Sequence, residues 1–152
     1  MKTVLFVCTS NVCRSPLAEA IWQARIGAAG RQKDWQARSA GVMAYDGEAP
    51  LQPAVLAAGW HGLSIANHTA RHLTTAMLRE AALVLAINQT LKAAILSERP
   101  EFADKVCTLR DYAGMDEDIT DPYGADPGIY EACLVDLEGC INAAWLRWQR
   151  EN

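Results

Sequence analysis

Residues 3–8, TVLFVC, form an almost uninterrupted apolar run, and the residues that follow, TSNVCRSP, are polar and close on a helix-start signal. A run that is apolar at successive positions buries both faces, as a central strand of a parallel sheet does. Ser15 as N-cap and Pro16 at the first helical position open a helix. Leu17, Ile21, Ala24 and Ala28 recur along it at helical spacing, and Gly30 stops it. This strand, loop and helix constrain the rest of the chain, because a doubly buried strand needs neighbours on both edges and helices over both faces.

The same alternation recurs. Strands are expected at 35–41, 82–87 (ALVLAI) and 106–109, and helices at 50–59, 89–97 and 128–149. On the last helix Tyr130, Cys133, Leu134, Leu137, Ile141, Ala144, Trp145 and Trp148 share one face. Strands alternating with helices predict an α/β fold with a mainly parallel sheet. At 152 residues, 1–152 is expected to be a single domain that needs no disulfide or structural metal to complete its core. The polar interval 111–127, DYAGMDEDITDPYGADP, is too long for an idle connection and is a candidate functional loop.

Composition narrows the function. With 14 basic against 18 acidic side chains, a net charge of −4 and no Lys/Arg block, the chain is not expected to bind nucleic acid. No segment reaches the length of a membrane span, so no membrane partner is expected, and the N-terminal apolar run reads as a strand rather than a signal peptide. The five cysteines, at 8, 13, 107, 133 and 140, are odd in number and lack metal-type pairing. That pattern fits a reducing, cytoplasmic setting in which each thiol is core filler or reactive.

The loop after the first strand carries the chemistry. Cys8 ends a strand and Arg14 begins a helix, so the residues between them must curl. Curling turns the backbone N–H groups of Thr9, Ser10, Asn11, Val12 and Cys13 inward as an anion-binding nest at a helix N-terminus. Arg14 can fork onto two oxygens of a tetrahedral anion. Cys8 beneath it feels the same amides and helix terminus, which favour its thiolate. Ser15 is placed to donate a hydroxyl hydrogen bond to that sulfur. A thiolate attacking phosphorus also needs a proton donor for the departing group. Within the acidic interval Asp126 reads as the cap of the last helix, leaving Asp121, fixed by Pro122, as the acid.

At FVCTSNVCRSPLAEA (6–20), RSAGV (38–42), HTARHLT (68–74) and DPYG (121–124) the chain resembles the low-molecular-weight protein tyrosine phosphatases, over essentially its whole length. The resemblance implies a doubly wound four-stranded parallel sheet of the flavodoxin-like kind with helices on both faces. It also implies hydrolysis of phosphotyrosine through a cysteinyl-phosphate intermediate, with no metal and no cofactor. Cys8 would be the nucleophile, Arg14 the phosphate clamp and Asp121 the acid and then the base. Asn11, Ser39 and His68 would bond together to hold the loop, and Tyr45 and Tyr123 would wall the substrate cleft. The implied partner is a phosphorylated protein, with a cognate kinase opposing the enzyme. A monomer is the default for so compact a chain.

Two positions depart from the family pattern. Ser10 stands where many members have glycine, so the backbone there must avoid a positive φ or Ser10 must tolerate it. Val12 stands where many tyrosine phosphatases have isoleucine and the protein arginine phosphatases have threonine. The arginine phosphatases also resemble this chain at KVCTLRDY (105–112) and in DPYG followed by IYEA. Val12 has the shape of threonine without its hydroxyl, which favours tyrosine and keeps arginine as the alternative.

Cys13 reads either as packing or as a disulfide partner that shields oxidised Cys8. An arsenate reductase would need further thiols near the site, and 82–92 contains none. Cys133 and Cys140 would lie about 10 Å apart along a helix, beyond the roughly 4.4–6.8 Å a disulfide spans. A non-catalytic phosphate-binding module would be expected to lack the nucleophile, the arginine or the acid, and all three are present.

Overall fold

The structure, a computed structural model, describes residues 1–122 and 124–152. Four strands, β1 (Lys2–Cys8), β2 (Trp35–Gly41), β3 (Ala81–Ala86) and β4 (Val106–Thr108), form one parallel sheet in the order β2-β1-β3-β4. The helices are α1 (Arg14–Ala28), α2 (Gln52–Trp60), α3 (Thr75–Glu80), α4 (Gln89–Glu98), α5 (Leu109–Ala113) and α6 (Pro127–Glu151), with a 3-10 turn at Pro100–Phe102. The chain moves one way from β1 to β2 and the other way to β3 and β4. Right-handed crossovers then put α1 and α4 on opposite faces of the sheet. The reversal point lies beside β1, where open α/β sheets hold their ligands.

β1 is central, as its composition requires. Val4 to Cys8 are all buried, paired along one edge from Lys2↔Trp35 to Cys8↔Gly41 and along the other to Val7↔Ala86. The core beside it is aromatic. Trp22 of α1 sits edge-on to Phe6 at 5.6 Å, to Trp145 at 5.1 Å and to Trp148 at 5.7 Å, and Trp148 meets Trp35 of β2 at 4.8 Å. Rings at these spacings add edge-to-face attraction to the area they bury. This cluster joins α1, α6 and the sheet into one block behind the loop that follows β1.

Three details differ from the sequence reading. Ser15 is not the N-cap of α1: Cys13 holds that position with no side-chain hydrogen bond, Arg14 opens the helix, and Ser15 and Pro16 lie inside its first turn. The physical reason is that Ser15 already has helical backbone inside the first turn, and its hydroxyl turns to Cys8 and Asn11 instead. Strand β4 ends at Thr108, because Leu109 starts α5. Helices α3 and α5 are too short to show a helical period, although Thr74 accepts from Met77 N at 3.2 Å and Thr108 from Asp111 N at 3.0 Å. Those two caps are the signal that periodicity misses. Asp126 does cap α6, accepting from Gly128 N at 2.9 Å.

Trp22 is fully buried. Trp22→Ala is expected to cost about 3–5 kcal/mol, lowering Tm by roughly 6–20 °C in a chain of this size. Thermal unfolding followed by circular dichroism measures it, and a shift under about 3 °C would contradict the role given to this cluster.

Candidate active site

The backbone leaves β1 at Cys8 and keeps pairing with the chain beyond β2, where Val42 N donates to Cys8 O at 3.1 Å and Met43 N to Thr9 O at 2.8 Å. It then turns back at Asn11, whose φ of 57° is the one positive value among the described non-glycine residues. The left-handed residue of the loop is therefore Asn11, and Ser10 avoids that region. Asparagine tolerates the conformation better than most L residues because its short amide can bond locally.

Asn11 is fully buried, and its polar groups are bound to four other segments. Its N–H donates to Cys8 Sγ at 3.2 Å. Its Nδ2 donates to Ser15 Oγ at 2.8 Å and to Ser39 Oγ at 2.9 Å. Its Oδ1 accepts from Arg71 N at 2.9 Å, and its carbonyl lies 2.9 Å from His68 Nε2. A carbonyl only accepts, so His68 carries its proton on Nε2. The Ser15 hydroxyl, already accepting from Asn11, has its own proton free for Cys8 Sγ, 2.8 Å away. Two donors thus point at the sulfur, an arrangement suited to an anionic sulfur.

Arg14 is 6% exposed and is held from across the site. Its Nη1 donates to Ile119 O at 3.4 Å, and its Nε lies 3.5 Å from Asp121 Oδ1. The interval after α5 therefore folds back over the loop that follows β1. Cys8, Thr9, Ser10, Asn11, Val12, Cys13 and Arg14 line a cavity of about 290 Å³, together with Asp121, Pro122 and Tyr130. With no capping side chain on α1, its leading amides are free for a ligand at this cavity. No group of three or more His, Cys, Asp or Glu among the described residues is arranged to hold a metal ion.

Residues 3–151 match the sequence profile described as Low molecular weight phosphotyrosine protein phosphatase. The chain belongs to this family. It is 36% identical over 136 residues to a protein-arginine-phosphatase of Bacillus subtilis (strain 168), covering 89% of each chain. To a low molecular weight protein-tyrosine-phosphatase of Streptomyces coelicolor it is 38% identical over 144 residues, covering 89% of this chain and 86% of the relative. The fold superposes with a TM-score of 0.87 on the crystal structure of a low molecular weight protein tyrosine phosphatase from T. tengcongensis. The two are 40% identical, and the match covers 94% of this chain and 97% of that one.

In this family member the expected loop residues, the arginine and Asp121 all meet at one cavity, and Ser15, Ser39 and His68 stand behind it. Tyr45 does not line the cavity; it is 78% exposed on the segment after β2. Tyr123 lies outside the described residues. Four contributors escaped the sequence reading. Leu51 donates its N–H to Val12 O at 2.9 Å and lines the cavity. Tyr130, read only as part of a buried helical face, donates its hydroxyl to Gly124 O at 3.1 Å and so ties α6 to the acidic loop. Arg71 acts through its amide, which no sequence pattern reveals. Gly41 is required by space, since a Cβ there would stand 2.6 Å from Thr9 O and 2.9 Å from Asn11 N.

The neighbouring thiols are unlike Cys8 in setting. Burial pushes the Cys13 thiol far above the ordinary range, with Cys133 and Cys8 adding in the same direction and Arg14 opposing. Burial likewise raises Cys133 to about 11. Both stay protonated at neutral pH and up to about pH 9, and alkylation needs the thiolate. Iodoacetamide at pH 7.5 is therefore expected to modify Cys8 before either, as peptide mapping would show; labelling of Cys13 or Cys133 at the same rate as Cys8 would contradict this. Gly41→Ala is expected to lower kcat/KM on an aryl phosphate about 10²-fold, by displacing the loop backbone on the scale of 1 Å.

Proposed function

We propose that the protein hydrolyses phosphotyrosine in proteins through a phosphocysteine intermediate. The observation that carries this reading is the meeting of Cys8, Arg14 and Asp121 at one cavity whose floor is the Asn11-centred loop. The dianionic phosphoryl group rests on the loop amides and the Arg14 guanidinium, and the Cys8 thiolate attacks phosphorus in line with the ester oxygen. As the S–P bond forms and the P–O bond breaks, Asp121 gives its proton to the departing phenolate. Water then attacks the phosphocysteine, Asp121 takes a proton from it, and the sulfur leaves with its electron pair, stabilised by the Ser15 hydroxyl and the Asn11 amide. Orthophosphate is the second product. An apolar cavity rim at Leu51, Pro122 and Tyr130 suits an aryl leaving group.

Phosphoarginine is the second reading, favoured by the arginine-phosphatase relatives. Val12 bears on the choice: it is 8% exposed and packs with Ala44 and Ala70, presenting methyl groups where a threonine would add a hydroxyl. The same reading takes 1–152 as one domain acting as a monomer in the cytoplasm opposite a protein kinase. The profile match over 3–151 supports the domain, and five free thiols support the compartment.

Side-by-side turnover of phosphotyrosyl and phosphoarginyl peptides tests the proposal. Wild type is expected to prefer the phosphotyrosyl peptide. Cys8→Ser should be inactive, and Asp121→Asn should lose about 10²–10⁴-fold in kcat, the range a general acid supplies. Val12→Thr should raise the phosphoarginine share and Val12→Ile lower it. Undiminished turnover in Cys8→Ser would overturn the mechanism, and a wild-type preference for phosphoarginine would reverse the substrate assignment.

A further inference from the structure

A second cavity, of about 670 Å³, opens on the other side of the residues that hold Asn11. One wall is the α1 surface from Pro16 to Ala24; the other is the segment 62–71, and Arg38 of β2 closes one end. Its volume lies in the range of small-molecule sites. Its charge is mainly positive, with Arg38 and Arg71 against the single carboxylate of Glu19. Both guanidinium groups keep donors free. The Arg38 guanidinium is exposed and has no hydrogen bond or ion pair among the described residues, and the Arg71 guanidinium is paired only with Glu19 Oε1, at 3.6 Å. That oxygen is itself buried without a hydrogen-bond partner. Two planar cations with open donors line one cavity, where each can bond oxygens of a carboxylate or phosphate group, and Ala20, Leu63 and Ile65 offer it an apolar floor.

This cavity touches the catalytic loop through two hydrogen bonds. His68 reaches the Asn11 carbonyl and the Arg71 amide reaches Asn11 Oδ1, both at 2.9 Å. The same two arginines also line a smaller cavity that reaches Ser39, which accepts from the Asn11 amide. A ligand on Arg38 and Arg71 therefore bears on residues one hydrogen bond from Asn11, whose own N–H meets Cys8 Sγ. We propose that the cleft between α1 and 62–71 is a regulatory site for a small organic anion, coupled to the catalytic cavity through His68, Arg71 and Asn11. The regulatory part rests on the phosphatase reading; the binding part does not.

Citrate and 3-phosphoglycerate serve as probes, one carrying only carboxylates and the other adding a phosphate. Each is titrated at millimolar concentration into wild type and Arg38→Glu, following aryl phosphate turnover and the ¹H–¹⁵N shifts of Ser64 and Asn67. The expected result is that at least one probe moves both amides and changes kcat twofold or more in wild type. Both effects should vanish in Arg38→Glu, while basal turnover and competitive inhibition by orthophosphate are retained. Action by citrate alone assigns a carboxylate ligand, by 3-phosphoglycerate alone a phosphate ligand, and by both a general oxyanion site. Purely competitive kinetics, unmoved amides, binding without a change in kcat, or effects that survive in Arg38→Glu would each overturn the proposal. An enzyme without turnover would instead refute the phosphatase reading, and the amide shifts would still test whether the cleft binds the probe.

Discussion

The site depends on one buried side chain in an uncommon conformation. Asn11 turns the chain back with a positive φ and compensates by satisfying its polar groups internally, bonding Ser15, Ser39, His68 and the Arg71 amide. An unpaired buried amide group costs about 1–3 kcal/mol, so each of these partners fixes the position of the others. The loop is held from behind, by α1, β2 and 68–71, leaving its front for an anion. Cys8 receives its hydrogen bonds from the same network, which links the geometry of the turn directly to the electrostatics of the sulfur.

The sheet supplies a rigid base. Because β1 is paired on both edges and buried on both faces, Cys8 leaves it from a fixed point, and the Trp22, Trp35, Trp145 and Trp148 cluster fixes α1 behind it. Gly41 permits the closest approach of β2's end to the loop. The acidic interval is held more lightly, by Arg14 on Ile119 and Asp121, by Tyr130 on Gly124 and by the Asp126 cap. Asp121, 47% exposed, thus stands at the rim of the cavity, whereas Arg14 and Cys8 are inside it. A carboxylate at the rim and a thiol at the base is the order that the proposed mechanism needs for an ester whose leaving group points outward.

A net charge of −4 is no obstacle to binding an anion, because exposed charges are screened within about 8–10 Å. The Arg14 guanidinium and the α1 terminus act at contact distance.

Much of the site is local in sequence, and that part was legible. The apolar run before Cys8, the helix after Arg14 and the Pro-fixed Asp121 follow from rules that act over a few residues, and they yielded the strand, the loop before the helix and a carboxylate that lines the same cavity. The strands appeared for the same reason, since β1 and β3 are short apolar runs bounded by turn signals. Short helices such as α3 and α5 did not, because they lack a full helical period.

What the sequence alone determined is the order of the elements and the chemical identity of the residues at the carboxyl edge of the sheet. Tertiary structure decided which residue takes the strained φ, Asn11 rather than Ser10, and that the Ser15 hydroxyl serves the sulfur without also capping the helix. It also brought in Leu51, Tyr130, the Arg71 amide and the space at Gly41. Those contributions come largely from backbone groups and contacts between distant positions, as from Leu51 to Val12 and, across 60 positions, from Arg71 to Asn11. Nothing in a residue's own neighbourhood encodes them until the chain is packed.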